Sequence, residues 1–453
     1  MLRRFQAGFQ RLSVPTPAWF PKRNMSQRSV RHKVPEIARM LQNEDWAQLR
    51  YQFPLVLRWF LTEAVLRKGF QAISFATGPI VHVGEPVVST GWLLISAKLP
   101  IEFQRAKLGM SILLSPSGSV LSLGFSPMII LGLGHSWKPP AYTLNSAMRE
   151  IGVRVGAPGM QSPGTLTLPA NPGQHPCLVM LPGSGPCDQD SSAGCAKPFK
   201  DLALGLANLG VATLRFEKIT RTHGAKVKKS KSFTLEAEYM SHALDAIRQV
   251  FEHSSMAPSG VFILGHSLGA YVAPRVMESD PRIAGCIIMA GPAESVCWSA
   301  LRQYQYLASL DPDKSVDVDE IPQIKDFQRQ CELSATPDLS LSTPRSKLPF
   351  GIGAAYWRDF ANFTPIETCA RERRPVLVLQ GARDYHVTLE DDFAKWEAGL
   401  GQSQHAKLEV YDDLNHLFVS GEGKSTPREY DEPGNVDERV VRDIAEWVLQ
   451  KMR

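Results

Sequence analysis

The spacing of apolar residues divides the chain near residue 139. From Val34 to about Phe70 apolar residues recur at steps of three and four, which predicts helices, and Pro54 predicts a break in them. Strands are predicted next, over 80–88, 92–98, 102–114 and 120–125, with a hairpin turn at 116–118. Helices followed by a strand meander predict a small α+β domain over 35–138.

After a linker predicted over 139–149, strand patterns and helix patterns alternate, which is typical of a largely parallel sheet. The predicted strands lie near 151–155, 163–168, 176–181, 211–216, 260–265, 284–289, 375–380 and 407–411. The main predicted helices lie near 197–209, 233–252, 268–278, 388–400 and 436–451. The pattern therefore predicts an α/β domain over 150–453, with a mostly parallel eight-stranded sheet and flanking helices.

The segment 292–370, between two of the predicted strands, is too long for a plain connection. Its pattern is helical, and inserts of this kind usually serve as lids or binding loops, so we expect a helical lid. Its aromatic residues favour a pocket for an apolar group, although aromatic residues that only pack the lid would give the same pattern. These residues are Trp298, Tyr304, Tyr306, Phe350, Tyr356, Trp357 and Phe360.

Composition narrows the class of protein. Of 453 residues, 43% are hydrophobic and 21% charged, which is typical of a globular protein, and no apolar stretch approaches the roughly 20 residues of a membrane span. A net charge of +5 without a basic stripe argues against nucleic acid as a partner. The first 34 residues are basic and contain no acid, which predicts a disordered extension or a targeting signal. We expect a cytoplasmic protein, with mitochondrial import as the alternative.

Seven cysteines are spread along the chain without a CxxC pair, which argues against a disulfide framework or a zinc site. No motif calls for a cofactor or a metal ion. A homo-oligomer is left open by the sequence.

An apolar run leads into a G-x-S-x-G motif and then into a helical pattern. The motif is Gly265-His266-Ser267-Leu268-Gly269. In this arrangement the serine occupies a strained turn that exposes its Oγ above the sheet, and the glycines let strand and helix approach each other. The start of the helix adds N–H groups and a positive dipole end beside the serine. We therefore predict Ser267 as a nucleophile.

A serine hydroxyl needs a base to take its proton and an acid to hold that base. Asp384 follows the predicted strand 375–380, and His416 follows the predicted strand 407–411. The chain order Ser, Asp, His is the one that the α/β-hydrolase fold uses. We therefore predict Asp384 as the acid and His416 as the base.

Other residues compete for these roles. Asp412 and Asp413 are alternatives for the acid, but they share the loop of the histidine and are expected to cap its turn. Two other histidines compete for the role of the base. His266 lies directly beside Ser267, and His386 follows Asp384 too closely to face Ser267 across the sheet, so both are expected to be surface or pocket histidines.

When the serine attacks a carbonyl group, a tetrahedral intermediate with a negative oxygen forms, and two backbone N–H groups stabilise it. One belongs to the residue after the serine, and the second comes from the loop after the third strand of the fold. The loop that ends in Pro182-Gly183-Ser184-Gly185 is of this kind, and Gly183 lets the backbone turn. We predict the amides of Ser184 and Leu268 as the oxyanion hole. The alternative is a purely structural Gly/Pro turn.

Several stretches together resemble bacterial and fungal α/β-hydrolases of the EstA-like and dienelactone-hydrolase-like serine esterase family. The resemblance spans about 150–451 and includes 183–186, 197–203, 265–269, 290–293, 379–385 and 414–418. It implies the same triad, Ser267, Asp384 and His416. The amino-terminal part, especially 97–127, is similar to the cone-shaped domains often found ahead of such hydrolases, which resemble nuclear-transport-factor-2-like folds.

The chain is thus predicted to be a serine hydrolase that cleaves a small-molecule carboxylic ester through an acyl-enzyme. The same triad would also serve an acyltransferase, a thioesterase or a secondary-metabolite tailoring enzyme. A non-catalytic binding or oligomerisation protein would have to keep three separate motifs without use.

Overall fold

A computed structural model of the chain describes residues 25–90, 94–131, 133, 136–310, 319 and 321–452. These residues form two compact units. The first consists of the described residues of Met1–Ser74 and Pro79–Leu133, and the second of those of Phe75–Gly78 and Gly134–Arg453. Among the residues so described, no helix is both long enough and apolar enough to cross a membrane.

Four helices precede the first sheet. They are α1 (Gln27–Gln42), α2 (Trp46–Tyr51), α3 (Leu55–Arg58) and α4 (Glu63–Thr77). Ser26 caps α1, because its side chain accepts a hydrogen bond from the Ser29 amide. Pro54 lies between α2 and α3, where the sequence predicts the break.

Helix α1 corrects the boundary that the sequence predicts after residue 34. The helix begins at Gln27 and buries Val30 and Val34. These residues continue the apolar stripe that packs in the core of the first unit, whereas Arg28 and Arg31 lie on the exposed side. The basic residues therefore belong to a solvated helix face over 27–34, and residues 1–24 of the predicted extension lie outside the described residues.

The sheet of the first unit is antiparallel. Its strands are β1 (Ile80–Val83), β2 (Val87–Thr90), β3 (Ile95–Phe103), β4 (Lys107–Leu114) and β5 (Val120–Pro127). They lie in the order β1-β3-β4-β5, and β2 also pairs with β3. The single strand predicted over 80–88 forms two, because Gly84 and Pro86 interrupt the run and the Gly84 amide donates to the Pro100 carbonyl. The similarity to nuclear-transport-factor-2-like folds stays a prediction.

The first unit ends before the predicted boundary at residue 138. The indole N–H of Trp137 donates a hydrogen bond to Asp201 Oδ1 over 2.7 Å, which ties this stretch to the second unit. The predicted linker 139–149 is also shorter in the structure, because the first strand of the second unit starts at Met148 and pairs from its first residue.

The second unit has the predicted sheet of eight mostly parallel strands. They are β6 (Met148–Val155), β7 (Ser162–Pro169), β8 (His175–Leu181), β9 (Ala212–Phe216), β10 (Met256–His266), β11 (Gly285–Met289), β12 (Val376–Gly381) and β13 (Ala406–Tyr411). Their order is β13-β12-β11-β10-β8-β9-β7-β6. Only the β6–β7 and β7–β9 pairs are antiparallel among the described strand pairs of this sheet.

Helices cover both faces of this sheet. They are α5 (Pro198–Asn208), α6 (Ile219–Thr222), α7 (Gly224–Lys229), α8 (Leu235–Glu252), α9 (Leu268–Ser279), α10 (Val296–Ser309), α11 (Pro322–Ser334), α12 (Ala354–Ala361), α13 (Pro365–Glu372), α14 (Ala394–Leu400) and α15 (Glu438–Lys451). A short π-helix, Leu389–Phe393, precedes α14. In β10, Val261 and Ile263 pack in the same core as α8 and α9, whereas Phe262 and Leu264 pack with α5 and α15. This alternation buries the sheet on both faces.

Helices α10 to α13 lie in the insert between β11 and β12, within the predicted segment 292–370 or just beyond it. Tyr356, Trp357 and Phe360, on α12, are almost fully buried and pack on one another. These three aromatic residues therefore form part of the core of the second unit. The role of the insert as a lid stays a prediction.

Candidate active site

Ser267 lies at the sharp turn between β10 and α9. Its backbone has φ 54° and ψ −124°, a conformation that costs a non-glycine residue about 1–3 kcal/mol. A Cβ on Gly265 would lie 2.2 Å from the Gly269 carbonyl oxygen, and one on Gly269 would lie 2.1 Å from the Leu181 carbonyl oxygen. The two glycines of the motif therefore allow the close contact of strand and helix that holds Ser267 in this conformation.

Asp384 lies just beyond the end of β12 and is buried. Its Oδ1 accepts hydrogen bonds from the amides of His386 and Val387, at 2.7 and 3.0 Å. Its Oδ2 accepts from Gln380 Nε2 at 3.2 Å and from His416 Nδ1 at 2.6 Å. Four donors thus fix the orientation of the carboxylate, and one of them is the histidine that the sequence predicts as its partner.

The alternative acids lie elsewhere. Asp413 makes an ion pair with Arg439, at 2.7 Å, on the surface, and Asp412 is exposed. Neither carboxylate is among the described hydrogen-bond partners of His416, which bonds to Asp384 instead.

The loop that carries His416 is held by Asn415. The side-chain oxygen of Asn415 accepts from the amides of Leu417 and Val419, at 3.0 and 3.2 Å, and its amide nitrogen donates to Glu429 at 2.8 Å. Phe418 takes φ 58° in the same turn. A buried side-chain amide therefore shapes the turn that points His416 toward Asp384.

Burial determines the protonation states of His416 and Asp384. It lowers the pKa of His416 to about 3, because an imidazolium loses its water. It raises the pKa of Asp384 to about 6, against the opposing effects of His386 and of the backbone amides. At pH 7 the aspartate is therefore ionised and the histidine neutral. Since Nδ1 donates to the carboxylate, Nε2 is the ring nitrogen of His416 that can accept a proton.

Two further histidines pack against the ring of His416, namely the two that the sequence predicts as surface or pocket histidines. The ring of His266 lies 4.7 Å from it, and the Nε2–H of His266 donates to the His416 carbonyl at 2.8 Å. The ring of His386 stacks on it at 4.5 Å and 25°. Burial lowers the pKa of both flanking histidines to about 3. The ring of His416 thus contacts two neutral imidazoles. In the sequence, His266 lies next to Ser267 and His386 lies two residues after Asp384, but the pattern does not show that both reach His416.

The loop after β8 lies against Ser267. A Cβ on Gly183 would lie 3.2 Å from the Ser267 Cβ, so a larger residue there would press against the serine. The carbonyls of Pro182 and Gly183 accept hydrogen bonds from the Tyr239 hydroxyl, at 2.9 and 3.1 Å. Leu268, the first residue of α9, lies in the turn of the helix whose amides have no intrahelical acceptor. The loop containing Ser184 and the start of α9 are thus both beside the serine.

In the described part of the chain, no cluster of three or more histidine, cysteine or acidic side chains is arranged to hold a metal ion. All seven cysteines are free thiols.

A serine on a strained turn between a central parallel strand and a helix, in a sheet of this order, defines the α/β-hydrolase class of folds. Residues 178–430 match the alpha/beta hydrolase family. The chain is also 33% identical over 350 residues to esterase EstD of Thermotoga maritima, and the match covers 77% of this chain and 78% of that relative. The chain therefore belongs to the alpha/beta hydrolase family, and it is an esterase-like hydrolase enzyme.

Solved structures also resemble the chain. The 2,6-dihydroxy-pseudo-oxynicotine hydrolase matches at 16% identity with a TM-score of 0.41, covering 66% of this chain and 66% of its own. Est1E from Butyrivibrio proteoclasticus matches at 16% identity with a TM-score of 0.42, covering 66% of this chain and 98% of its own.

Proposed function

We propose that the chain hydrolyses a small-molecule carboxylic ester through a covalent acyl-enzyme, with Ser267 as nucleophile, His416 as base and Asp384 as the acid behind it. The observation that carries this proposal is the buried hydrogen bond of 2.6 Å between His416 Nδ1 and Asp384 Oδ2. It fixes the tautomer in which Nε2 is free to take a proton. The match to a relative named esterase supports the ester as the substrate class.

In the first step, Ser267 Oγ forms a bond to the ester carbonyl carbon while its proton moves to His416 Nε2. Collapse of the tetrahedral intermediate breaks the bond to the alcohol oxygen, and the alcohol leaves with that proton. In the second step, His416 takes a proton from water, and the hydroxide attacks the acyl-enzyme. The carboxylic acid leaves and Ser267 regains its proton. Asp384 stays ionised and stabilises the imidazolium in both steps.

The negative oxygen of the intermediate needs donors that are already in place. We assign this role to the amides of Ser184 and Leu268. The position of Gly183 beside the Ser267 Cβ supports the first, and the start of α9 supports the second. Each such donor is worth roughly 3 kcal/mol of barrier.

Labelling with a fluorophosphonate probe tests the nucleophile, and turnover of short p-nitrophenyl esters tests the reaction. Ser267→Ala is expected to abolish both labelling and turnover. The matched control is Ser279→Ala, at the other end of α9, where the hydroxyl only donates to the Val276 carbonyl. A wild-type protein that is neither labelled nor active would contradict the proposal, and so would a Ser267→Ala variant that keeps its turnover.

Analysis of the products separates hydrolysis from transfer of the acyl group. The free carboxylic acid is the expected product. Formation of a new ester or amide in the presence of alcohols or amines, at the expense of the acid, would instead identify an acyltransferase.

A further inference from the structure

A lysine and a glutamate are buried together beside the candidate active site. Lys218 follows β9 and is 1% exposed, and Glu238 lies near the start of α8 and is 6% exposed. Lys218 Nζ lies 3.0 Å from Glu238 Oε1. Charged side chains are almost never buried to this extent without partners, and a pair of this kind does little for stability. Stability alone therefore does not explain why this pair is buried beside the candidate active site.

The ammonium group of Lys218 has a second partner, the carbonyl of Gly183. Lys218 Nζ donates to this oxygen at 2.7 Å, and the Tyr239 hydroxyl shares its one proton between this oxygen, at 3.1 Å, and the Pro182 carbonyl, at 2.9 Å. Lys218 Nζ also lies 4.4 Å from the centre of the Tyr239 ring. One carbonyl in the loop against Ser267 thus accepts both a charged and a neutral donor.

The carbonyl of Gly183 and the amide of Ser184 belong to the same peptide group. That group is planar and trans, so its C=O and N–H bonds point in opposite directions. When Lys218 and Tyr239 fix the oxygen, they also fix the direction of the Ser184 N–H. A charge-assisted bond to the oxygen further polarises the peptide and makes its N–H a stronger donor.

We propose that Lys218 is a positioning residue for ester hydrolysis, which orients and polarises the Gly183–Ser184 peptide so that the Ser184 amide stabilises the oxyanion. Glu238 holds the ammonium group in place. This inference rests on the proposed function, because it needs Ser184 to be a donor to the intermediate. Lys218 itself acts through the peptide and does not touch the substrate.

The insert between β11 and β12 takes part in this arrangement through Tyr356 of α12. The Tyr356 hydroxyl donates to Glu238 Oε2 at 2.7 Å, so both oxygens of Glu238 have a partner. A chain of contacts then runs from Tyr356 through Glu238 and Lys218 to the Gly183 carbonyl. The insert is thereby coupled to the oxyanion loop, and a change at Tyr356 is expected to reach the reaction without contact with the substrate.

The test removes both charges together, in Lys218→Met/Glu238→Gln, because loss of one partner would leave the other buried and unpaired. The variant is compared with wild type by kcat and KM for a p-nitrophenyl ester. It is also compared by its affinity for an alkyl boronic acid, which forms a tetrahedral adduct with an active-site serine and so reports on the oxyanion site. Expressed per folded molecule, kcat is expected to fall roughly 10- to 100-fold, less than for loss of a donor outright.

KM is expected to stay within about threefold, since the interaction is made with the transition state. The affinity for the boronic acid is expected to fall by the same factor as kcat/KM. A purely structural role predicts something different, namely a lower melting temperature with unchanged kcat and unchanged boronic-acid affinity per folded molecule. That result would overturn the inference.

A matched control is Arg275→Met/Asp359→Asn. It removes another ion pair that involves α12, the one between Arg275 of α9 and Asp359 at 2.8 Å, and neither residue is a described hydrogen-bond partner of the Gly183 carbonyl. This variant is expected to lose stability but to keep kcat and boronic-acid affinity. If Lys218→Met/Glu238→Gln does not fold, Tyr239→Phe takes its place, since it removes the hydroxyl that the carbonyls of Pro182 and Gly183 share and leaves the ion pair. A loss of about three- to tenfold in both kcat/KM and boronic-acid affinity is expected, and no loss in either would overturn the inference.

Fluorophosphonate labelling of the wild type keeps the two proposals apart. A wild type that is labelled, with variants that are unchanged, contradicts only the role of Lys218. A wild type without labelling or turnover contradicts the serine esterase proposal and this inference with it.

Discussion

Replacing Asp384 by asparagine is expected to leave the fold in place and to reverse the tautomer of His416. In the wild type, Oδ1 of Asp384 accepts from the amides of His386 and Val387. An asparagine has one oxygen, and these two donors select it for the Oδ1 position. Its NH2 group then occupies the Oδ2 position and donates to His416 Nδ1, so that the proton of the ring moves to Nε2. A ring protonated at Nε2 cannot accept the proton of a serine.

The loss of kcat is expected to be on the order of 10⁴-fold, the size seen when this substitution imposes the wrong tautomer in a triad. This corresponds to about 5 kcal/mol of barrier. The free energy of unfolding is expected to fall much less, by about 1–3 kcal/mol, because Gln380 Nε2 would face the new NH2 group and lose a charged acceptor, while it keeps the carbonyls of Gly381 and Val387. Turnover of a p-nitrophenyl ester and thermal unfolding followed by circular dichroism measure the two quantities.

The matched control is Asp413→Asn, which changes the other aspartate that competes for the role. Asp413 pairs with Arg439 at the surface, and its substitution is expected to leave kcat within about twofold and the stability within about 1 kcal/mol. An Asp384→Asn variant that keeps more than a tenth of the wild-type kcat would refute the tautomer argument. Equal losses in the two variants would refute the choice of Asp384.

Three further outcomes are expected. Ser267→Gly should be more stable to unfolding than Ser267→Ala by about 1 kcal/mol. Glycine relieves about 1–3 kcal/mol of strain at φ 54° but loses about 0.4–1 kcal/mol because its unfolded chain is freer. Urea titration measures the difference in the free energy of unfolding, and equal stability of the two variants would speak against a strained turn. His386→Ala should lower kcat/KM by roughly tenfold. His386→Phe should lower it by less, because the flat ring of phenylalanine still stacks on the ring of His416. An inactive His386→Phe variant beside an active His386→Ala variant would contradict this. As the pH is lowered, kcat/KM should fall with a midpoint at or below about pH 6. The reason is that burial lowers the pKa of His416 to about 3 and raises the pKa of Asp384 to about 6. A midpoint above about 6.5, the pKa of a free imidazole, would contradict these directions.

Much of the second unit could be predicted because its signals are local. Each parallel strand is a short apolar run between turn residues, and all eight predicted strands overlap the observed ones. The turn at Ser267 was predictable for the same reason, since the apolar strand, the G-x-S-x-G motif and the helix follow one another directly in the sequence. The segment 80–88 was predicted as one strand although it contains Gly84 and Pro86, and the structure divides it there into two strands that both pair with β3.

The parts that sequence reasoning missed depend on contacts between distant segments. His386 is 30 residues from His416, and Lys218 is 35 residues from Gly183, so nothing in the local pattern relates them. The aromatic residues of the insert have a clear pattern, but that pattern fits two different roles. Tyr356, Trp357 and Phe360 fit a pocket lining and a core equally well, and only their burial in the structure decides between the two.

The acyl-enzyme itself is the most direct test of the proposed mechanism. The wild type would be mixed with p-nitrophenyl trimethylacetate, whose bulky acyl group is released slowly, quenched in acid, and analysed by intact-mass and peptide mass spectrometry. The proposal predicts one added trimethylacetyl group per chain, on the peptide that contains Ser267, and its decay on a timescale that matches turnover. Steady turnover without any such adduct, or an adduct on a peptide that lacks Ser267, would contradict it.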